Sequence, residues 1–476
     1  MKTLGVVITD GVGFRNFVLT DFIPEASKVF DEVVLFSCLP HQVYDQYALP
    51  CSIVELEVFQ ESTATWFFRK AKEIAHLQLN RKGNFGIQDN FNTNRNAAMT
   101  LRGLATRFIF GLTRVCHSER WISMYQKLQQ RSLRNHRVTK DYERLLESHA
   151  VDLLFFTHQR PSFIAPMIYA AEKGGIRTAA FIFSWDNLAS KGRMAGNFDF
   201  YLVWSDLMKR DLLAFYRRIT ESQATVVGTP QFEPYIMERY GHTEAAFRRR
   251  FHIDNANPII LFTCNDSSSK NDPIYLDLLA HFISKGQLSR QVNLIVRTSP
   301  AEDPVRFKDI AEKYPFIIWN HPDWEIKRAA HQEAWSQRVP SQNDVNDLKS
   351  LLRFSDININ VLSTITIDAF LFDKPVINPV FGNPENGLFD DQKFFSYWHL
   401  EALVKSQSTE IVKNETEYLD SLNALLQGND ARRTQRAAFV GLQIGKPLEG
   451  TSKRIAENLA GLSNASFRKS KNATHA

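Results

Sequence analysis

The sequence predicts an α/β protein with two Rossmann-like domains that face a cleft. The chain has 476 residues, which is too long for a single hydrophobic core. Short apolar runs alternate with amphipathic stretches almost throughout, a pattern typical of parallel sheets covered by helices. A charged stretch between residues 237 and 253 separates two such series. We therefore expect one domain over residues 1–240, a second over 241–445, a C-terminal helix over 446–462 and a disordered tail over 463–476.

The first series contains six predicted strands, which are Leu4–Thr9, Glu32–Phe36, Val151–Thr157, Thr178–Phe183, Phe200–Trp204 and Thr225–Val227. Helices are predicted over Phe14–Lys28, Thr63–Gln78, much of Thr100–Glu147, Ser162–Lys173 and Ser205–Tyr216. The second series contains five predicted strands, Asn257–Thr263, Gln291–Arg297, Phe316–Trp319, Asp356–Val361 and Lys374–Asn378, with helices between them. Ligands of such folds bind where the carboxyl ends of the strands meet, so we expect the site in the cleft.

The composition excludes several classes of protein. A net charge of +5 is too small to argue for a nucleic-acid partner. The four cysteines are scattered without C-x-x-C spacing, which fits a reducing cytoplasm and predicts neither zinc nor a disulfide framework. No apolar run is long enough to span a membrane, and the N-terminus reads as a first buried strand rather than a signal peptide. We expect a cytoplasmic protein.

A helical insertion over residues 95–147 is strongly basic. Residues 95–144 contain eleven Lys and Arg against three acidic residues. Apolar side chains recur there at helical spacing, at Leu101, Leu104, Phe108, Leu112 and Val115. A basic amphipathic helix with aromatic residues can bind an anionic membrane surface, which would place the protein at the inner face of the cell membrane. The alternative is a solvated basic face on an ordinary packed helix.

Several catalytic motifs are absent from the sequence. It contains no P-loop, no complete G-x-G-x-x-G, no H-E-x-x-H and no G-x-S-x-G. It also contains no D-x-D, the usual carboxylate pair for a metal-bound nucleotide sugar. Helix dipoles, hydroxyls and cationic side chains would then stabilise a diphosphate leaving group. We therefore expect no metal and no cofactor, with the nucleotide donor as a co-substrate.

The segment "INVLSTITIDAFLFDKP" carries the strongest signal for a nucleotide. Ser363 and Thr364 follow an apolar strand and open a helix, where free backbone N–H groups and hydroxyls suit a phosphate. Asp368 lies one helical turn after Thr364, where it can accept a hydrogen bond from a sugar or base hydroxyl. The alternative is that Ser363 only caps the helix.

Two further strand ends in the second half favour phosphate binding. Asn265 and Ser267 belong to a loop rich in serine, which can bind phosphates through hydroxyls and backbone N–H groups. Arg297 ends the next strand, where its guanidinium could pair with a diphosphate.

Polar residues also follow strands of the first half. Arg15 and Asn16 come after a glycine-rich turn, "TDGVGF", and contact with an acceptor is one interpretation, an ordinary strand-to-helix turn the other.

In "SWDNLASKG", Asp186, Asn187 and Lys191 directly follow a buried strand, where charged side chains are costly unless they meet each other or a ligand. Asp186 is a candidate general base, although it could instead cap a turn and be neutralised by Lys191. His158, at another strand end, is a second candidate base or a structural histidine.

Taken in order, "RNF", "SWDNLASKG", "VVGTPQF", "LIVRTSP" and "SDININVLSTITIDAFLFDKPVI" resemble bacterial GT-B glycosyltransferases of surface-carbohydrate and lipopolysaccharide assembly. More distantly they resemble the CDP-glycerol glycerophosphotransferases of teichoic acid synthesis. The resemblance covers most of residues 1–380. It implies a donor site in the second domain, with Arg297, Ser363, Thr364 and Asp368, and an acceptor side in the first. Ser299 departs from this pattern, since many relatives have a basic residue or a His-Pro pair there.

The sequence therefore predicts a glycosyltransferase that moves a sugar from a nucleotide donor to a cell-envelope glycan or a lipid-linked acceptor. A single displacement would invert the anomeric centre, and retention stays open. Three other functions also stay open: a CDP-glycerol-type phosphotransferase, an enzyme like UDP-sugar 2-epimerases, and a non-catalytic protein that binds glycans or nucleotides.

Overall fold

The computed structural model describes residues 2–96, 98–266, 269–382 and 391–464. A first sheet consists of seven parallel strands: β1 (Thr3–Ile8), β2 (Glu32–Ser37), β3 (Ser52–Glu55), β4 (Leu153–Phe156), β5 (Arg177–Phe181), β6 (Phe200–Val203) and β7 (Ala224–Val226). Their spatial order is β3-β2-β1-β4-β5-β6-β7. The central strands are buried on both faces, as their continuous apolar runs predict.

A second sheet has six parallel strands: β8 (Ile259–Thr263), β9 (Asn293–Arg297), β10 (Ile318–Asn320), β13 (Ile357–Ile359), β14 (Val376–Pro379) and β15 (Glu410–Val412). They are arranged as β10-β9-β8-β13-β14-β15. The short strands β11 (Trp324–Ile326) and β12 (Arg338–Pro340) pair antiparallel to each other. The predicted α/β class, with two parallel sheets of Rossmann type, is confirmed.

Helices connect the strands. Up to the start of the second sheet they are α1 (Gly11–Phe17), α2 (Phe22–Val29), α3 (Thr63–Asn80), α4 (Phe85–Thr93), α5 (Leu101–Thr113), α6 (Glu119–Leu133), α7 (Arg137–Ser148), α8 (Ala165–Gly174), α9 (Asn187–Ser190), α10 (Asp206–Phe215) and α11 (Glu244–Arg250). The others are α12 (Asp272–Ser284), α13 (Lys308–Lys313), α14 (Gln342–Phe354), α15 (Ile365–Leu371), α16 (Glu401–Ser406), α17 (Glu415–Leu426), α18 (Arg433–Ile444) and α19 (Thr451–Asn464).

The end of the described chain returns to the first sheet, because α19 packs on α2 and on β4. Of the tail predicted over residues 463–476, Ser463 and Asn464 end α19, and residues 465–476 lie outside the described part. The domain boundary near residue 240 stays a prediction.

Some elements differ from the sequence prediction. The single helix predicted over Phe14–Lys28 is two helices, α1 and α2, because Pro24 has no backbone N–H and fits only the first turn of a new helix. The strands β3, β11, β12 and β15 were not predicted. Each has only three or four residues, and β3 has no fully buried residue that would give a clear apolar alternation.

The basic insertion folds as α5, α6 and α7, and the way α5 packs is unusual. Ile109 and Thr113 on one face of α5 are buried, whereas Leu101, Leu104 and Phe108 are 88%, 50% and 62% exposed. The apolar stripe read from the sequence therefore faces outward. Within the described residues, no helix has both the length and the apolar character needed to cross a membrane.

Candidate functional site

The order of the strands determines which predicted residues can meet. In the first sheet, β1, β4 and β5 are neighbours, so the loops that follow them lie side by side at one sheet edge. Those loops carry Asp10, His158 and Asp186. In the second sheet, the neighbouring strands β8 and β13 lead into the loops that carry Asn265 and Ser363. Side-chain contacts join the two groups of loops.

His158 and Asp10 form a buried pair. The Nδ1 atom of His158 lies 2.8 Å from Oδ2 of Asp10, and both side chains are almost fully buried. The other oxygen of Asp10 accepts hydrogen bonds from the backbone N–H groups of Val12 and Gly13, which caps α1. The imidazole ring stacks on Phe183 at 3.9 Å between ring centroids. The ring is therefore held from one edge and one face.

This pairing determines the tautomer of the histidine. A carboxylate only accepts, so Nδ1 of His158 must donate, and the lone pair of the neutral ring lies on Nε2. Nε2 is buried and has no hydrogen-bond partner among the described residues. Burial would raise the pKa of Asp10, but His158 and hydrogen bonds from Gly13 and Thr9 outweigh it and lower this pKa. Asp10 therefore stays ionised beside the ring, and the Nε2 atom of His158 is left without a partner among the described residues.

Asp186 lies among positive and polar groups. Its carboxylate is 3.6 Å from Nζ of Lys191 and accepts a hydrogen bond from Nδ2 of Asn187 at 3.1 Å. Burial acts to raise the pKa of Asp186. The charge of Lys191, then that of His399, a hydrogen bond from Ser184 and the charge of Arg160 outweigh burial and hold the pKa well below its ordinary value. A carboxylate that binds protons so weakly is a poor proton acceptor.

The loops that carry the two candidate bases are joined. Gln159, next to His158, donates from Nε2 to Oδ1 of Asn187 at 3.2 Å and accepts at Oε1 from the backbone N–H of Phe183. His158, Asn187, Asp186 and Lys191 thus belong to one connected edge of the first sheet.

Arg15 takes part in a contact that crosses the cleft. Its Nη2 atom lies 3.5 Å from the hydroxyl of Tyr235, and that hydroxyl donates a short hydrogen bond to Oδ1 of Asp368. All three side chains are buried. Asn16 is buried beside Arg15 in the chain, and its Oδ1 atom has no partner among the described residues.

Asp368 is a buried carboxyl group with a perturbed pKa. Burial is the largest influence and raises the pKa of Asp368 to about 6, although the hydrogen bond from Tyr235 and the charges of Arg15 and Arg297 act to lower it. A buried carboxyl group in a cleft whose pKa is raised toward 7 is typical of functional sites.

A second contact across the cleft joins the loop after β5 to the start of α15. The indole Nε1 of Trp185 donates to Oγ1 of Thr364 at 3.1 Å. The Thr364 side chain does not cap α15, and Ser363 bonds backward through its N–H and hydroxyl to Oδ1 of Asn360. Leu362, directly before Ser363, has a φ of +38°, a left-handed conformation that is costly for a leucine and recurs at functional sites.

Arg297 has partners of its own in the second domain. Its guanidinium pairs with the carboxylate of Asp344 at 2.8 Å and also donates to Asn320. Asp344 additionally accepts from the indole of Trp324. The charge of Arg297 is therefore largely compensated by Asp344. Arg297 acts on Asp368 through its electrostatic field and not through a hydrogen bond.

Asn265 is held within its own loop. Its backbone N–H donates to Asp272 at 2.6 Å and its Nδ2 atom donates to the carbonyl of Val361, the residue before Leu362. Arg306 donates to the carbonyls of Asn265 and Ser269, which fixes the loop from outside. Ser267 lies outside the described residues.

Three contributors were not predicted as site residues. The pairing of Asp10 with His158 cannot be predicted from the sequence, because 148 positions separate the two residues. Tyr235 ends the segment "VVGTPQFEPY", which reads as a turn near the domain boundary. Trp185 lies within the motif "SWDNLASKG", in which Asp186, Asn187 and Lys191 were the predicted site residues. Of the three, only Asp10 had a usable signal, since an Asp after a strand and before a helix is a typical cap.

Across the described ranges, no group of three or more His, Cys, Asp or Glu side chains is arranged to hold a metal ion. No protein-family model matches the chain, and no curated protein matches it in sequence.

Solved structures do match. The S. aureus MnaA–UDP co-structure superposes with a TM-score of 0.53 at 10% identity, covering 98% of this chain and 97% of the other. UDP-GlcNAc 2-epimerase from Methanocaldococcus jannaschii gives 0.53 at 11% identity, with 97% and 100% covered. A glycosyltransferase from Rickettsia africae gives 0.51 at 12% identity, with 98% and 99% covered. The chain has the GT-B fold of these proteins over nearly its whole length.

Proposed function

We propose that this protein is a glycosyltransferase that binds a nucleotide sugar in the cleft and transfers the sugar to a cell-envelope glycan or a lipid-linked acceptor. The observation that supports it best is the contact of Trp185 with Thr364 across the cleft. It brings the base-bearing edge of the first sheet against the strand-helix loop of the second. A donor bound on one side and an acceptor bound on the other would meet there.

His158 is the base in this proposal, with Asp10 as its positioning residue. Nε2 takes the proton of the acceptor hydroxyl while the oxygen forms a bond to the anomeric carbon. The bond from that carbon to the diphosphate oxygen breaks, and the nucleoside diphosphate leaves with the electron pair. Asp10 holds the ring and stabilises the imidazolium that results, as a buried carboxylate does in other His-Asp pairs.

Asp186 takes a different role, because its low pKa makes it a weak base. With Asn187 it supplies oxygens that accept hydrogen bonds from sugar hydroxyls, and Lys191 supplies a positive charge near the diphosphate. Arg15 and Asn16 line the same side. The free Oδ1 of Asn16 is a buried acceptor that lacks a donor among the described residues.

The donor side consists of Ser363, Thr364 and Asp368, with the loop of Asn265 and Ser267 beside them. The hydroxyls contact phosphate, and Asp368 accepts from a sugar or base hydroxyl. Arg297 is paired with Asp344, so in this proposal it favours the diphosphate through its field rather than by direct contact. The basic segment over residues 95–144 holds the enzyme at an anionic membrane surface, where lipid-linked acceptors are found.

A second candidate function is epimerisation of the nucleotide sugar. The chain shares its fold with the UDP-GlcNAc 2-epimerase of M. jannaschii, and a His-Asp pair with a free nitrogen could equally remove a proton from a sugar carbon. A glycerophosphotransferase and a non-catalytic binding protein are further outcomes of the same test.

The test is to incubate the purified protein with UDP-, GDP-, CDP- and TDP-sugars and with CDP-glycerol, with and without a bacterial lipid extract. A glycosyltransferase releases nucleoside diphosphate only when the extract is present. An epimerase changes the donor sugar without the extract. A glycerophosphotransferase would release CMP from CDP-glycerol, and a binding protein would bind a donor and turn over none. Donor conversion without an acceptor would contradict the transferase proposal.

Asp368→Asn should make the protein more stable at pH 8 but not at pH 4. The pKa of Asp368 is about 6 in the folded protein and near 3.8 when unfolded, so ionisation costs folding energy as the pH rises through this window. The amide never ionises, which should stabilise the variant by about 2–3 kcal/mol above pH 6. Thermal unfolding midpoints of both proteins at the two pH values check this. An equal difference at both would show that Asp368 ionises normally.

A further inference from the structure

A large cavity lies outside the cleft, between the C-terminal end of α3, α4 and α5. Its volume is about 870 Å³, and its walls include four arginines, Arg81, Arg95, Arg107 and Arg114, and the rings of Phe91 and Phe110. The basic composition of this region is visible in the sequence, but the convergence of these arginines on one cavity is not. No step of the proposed reaction uses them.

The four positive charges are not compensated by acidic side chains. Among the described residues, the contacts recorded for these guanidinium groups are with neutral groups. Arg81 donates to a neutral amide, that of Gln88 at 3.3 Å, and Arg107 to the carbonyl of Ala98 at 3.2 Å. Four positive charges around one cavity attract a negative charge, so the arrangement favours binding of an anion there.

Aromatic rings position two of these arginines. Arg81 lies over the ring of Phe91 at 4.7 Å, and Arg95 lies 5.6 Å from Phe91 and 5.7 Å from Phe110. Cation–π contacts leave the N–H groups at the guanidinium edge free to donate. An arginine held in this way is prepared for the bidentate hydrogen bonds that phosphate oxygens accept.

The cavity borders an exposed apolar strip. On α5, Arg107, Gly111 and Arg114 line the cavity, and Leu101, Leu104 and Phe108 occupy the adjacent row of the same helix. The strip continues into Met99 and Val115, which are each 82% exposed. Soluble surfaces seldom present so many large apolar side chains beside one basic cavity, and the combination matches the boundary between headgroups and acyl chains.

We propose that this cavity binds the phosphate or pyrophosphate headgroup of a membrane lipid, while the apolar strip inserts among the acyl chains. The charges select a phosphate, and the strip selects a lipid over a free anion. A headgroup that carries several negative charges would pair with more than one arginine at once.

Helix α4 links this cavity to the candidate site. Phe91 faces the cavity, and Gly86, about 8 Å earlier along the helix, packs so closely on the loop of Asp186 that an added Cβ would lie 3.1 Å from Cβ of Ser190. Asp89 accepts from the hydroxyl of Tyr397 at 2.8 Å. In its role as an acceptor anchor, which rests on the proposed function, the cavity would hold a lipid phosphate while the attached glycan reaches the cleft.

The test compares two kinds of phosphatidylcholine vesicle, one with phosphatidic acid and one with phosphatidylglycerol at matched surface charge. The full-length protein should bind the phosphatidic acid vesicles more tightly, since only their phosphate is a monoester. In the triple variant Arg95→Gln, Arg107→Gln, Arg114→Gln this preference should be lost, with a partition constant at least about tenfold lower. Leu104→Ser with Phe108→Ser should weaken binding to both kinds of vesicle.

The matched control removes the same charge outside the basic segment, by Lys308→Gln, Lys313→Gln and Lys405→Gln, three exposed lysines of α13 and α16. It should keep the preference for phosphatidic acid. The proposal is overturned if the wild-type protein binds both vesicles equally, if the two triple variants lose the same affinity, or if soluble inorganic pyrophosphate binds the cavity while vesicles show no preference. Nucleotide titration of the cavity variant separates this proposal from the proposed function. Nucleotide binding depends on the donor site and lipid binding on the cavity, so each proposal can fail without the other.

Discussion

His158→Ala is expected to lower kcat by about 10²- to 10⁴-fold, the range for loss of a positioned general base. The reason is that Nε2 is the one nitrogen of the His158–Asp10 pair left free to take a proton. Affinity for the nucleoside diphosphate should change little, because the predicted phosphate contacts lie on the other side of the cleft. Release of nucleoside diphosphate in the presence of the acceptor, together with nucleotide titration, measures both quantities.

Asp10→Asn and Asp186→Asn give this prediction its controls. In Asp10→Asn the new amide oxygen could still cap α1, but the neutral side chain would not stabilise the charged ring, so kcat should fall nearly as far as in His158→Ala. Asp186→Asn should cost less, and mainly in KM, since Asp186 binds rather than accepts a proton here. If Asp186→Asn abolishes turnover while His158→Ala retains it, the two roles are reversed.

Gly11→Ala is expected to lower the stability of the protein by about 3 kcal/mol, at the upper end of the range for overpacking. Gly11 begins α1, and an added Cβ would lie 1.7 Å from the backbone carbonyl oxygen of Arg338 in β12. A backbone atom cannot move aside as a flexible side chain can. The clash must be relieved by moving β12 away from α1, which would also disturb the neighbouring contact of Arg15 with Tyr235.

Gly441→Ala in α18 is the matched control for this change. No atom lies within 4 Å of the added Cβ there, so alanine should be neutral or stabilise the helix by roughly 0.5–1 kcal/mol. Thermal unfolding midpoints compare the two variants. Equal midpoints for Gly11→Ala and Gly441→Ala would mean that α1 and β12 are not in close contact in solution.

The fold was predictable because buried parallel strands are continuous apolar runs. Strands β4 and β8 lie within two residues of their predicted positions at either end. The elements that were missed lack this signal: β3 is half-exposed and four residues long, and β11 and β12 have three residues each. The break between α1 and α2 follows from Pro24. Proline is tolerated in the first turn of a helix but not in its interior, so the break is predictable only if the start of α2 is known.

Single residues of the candidate site could be proposed from the sequence, but their arrangement could not. His158 and Asp186 were proposed because polar side chains directly after a buried strand are costly unless they meet each other or a ligand. Their closeness depends on the order β1-β4-β5, which no local pattern contains. For the same reason, the pairing of Asp10 with His158 and the bridge from Arg15 through Tyr235 to Asp368 could not be predicted. Arg297 was predicted to be available for a diphosphate, but it forms an ion pair with Asp344, and this long-range contact could not be predicted from the sequence.

The most direct measurement is a calorimetric titration of the protein with UDP, GDP, CDP and TDP, without and then with magnesium. We expect selective binding of one nucleotide that does not depend on magnesium. Ser363→Ala with Thr364→Ala should weaken this binding by roughly 1–3 kcal/mol, the value of hydrogen bonds to a charged group. Binding of none of the four, or unchanged affinity in the folded double variant, would contradict the assignment of the donor site.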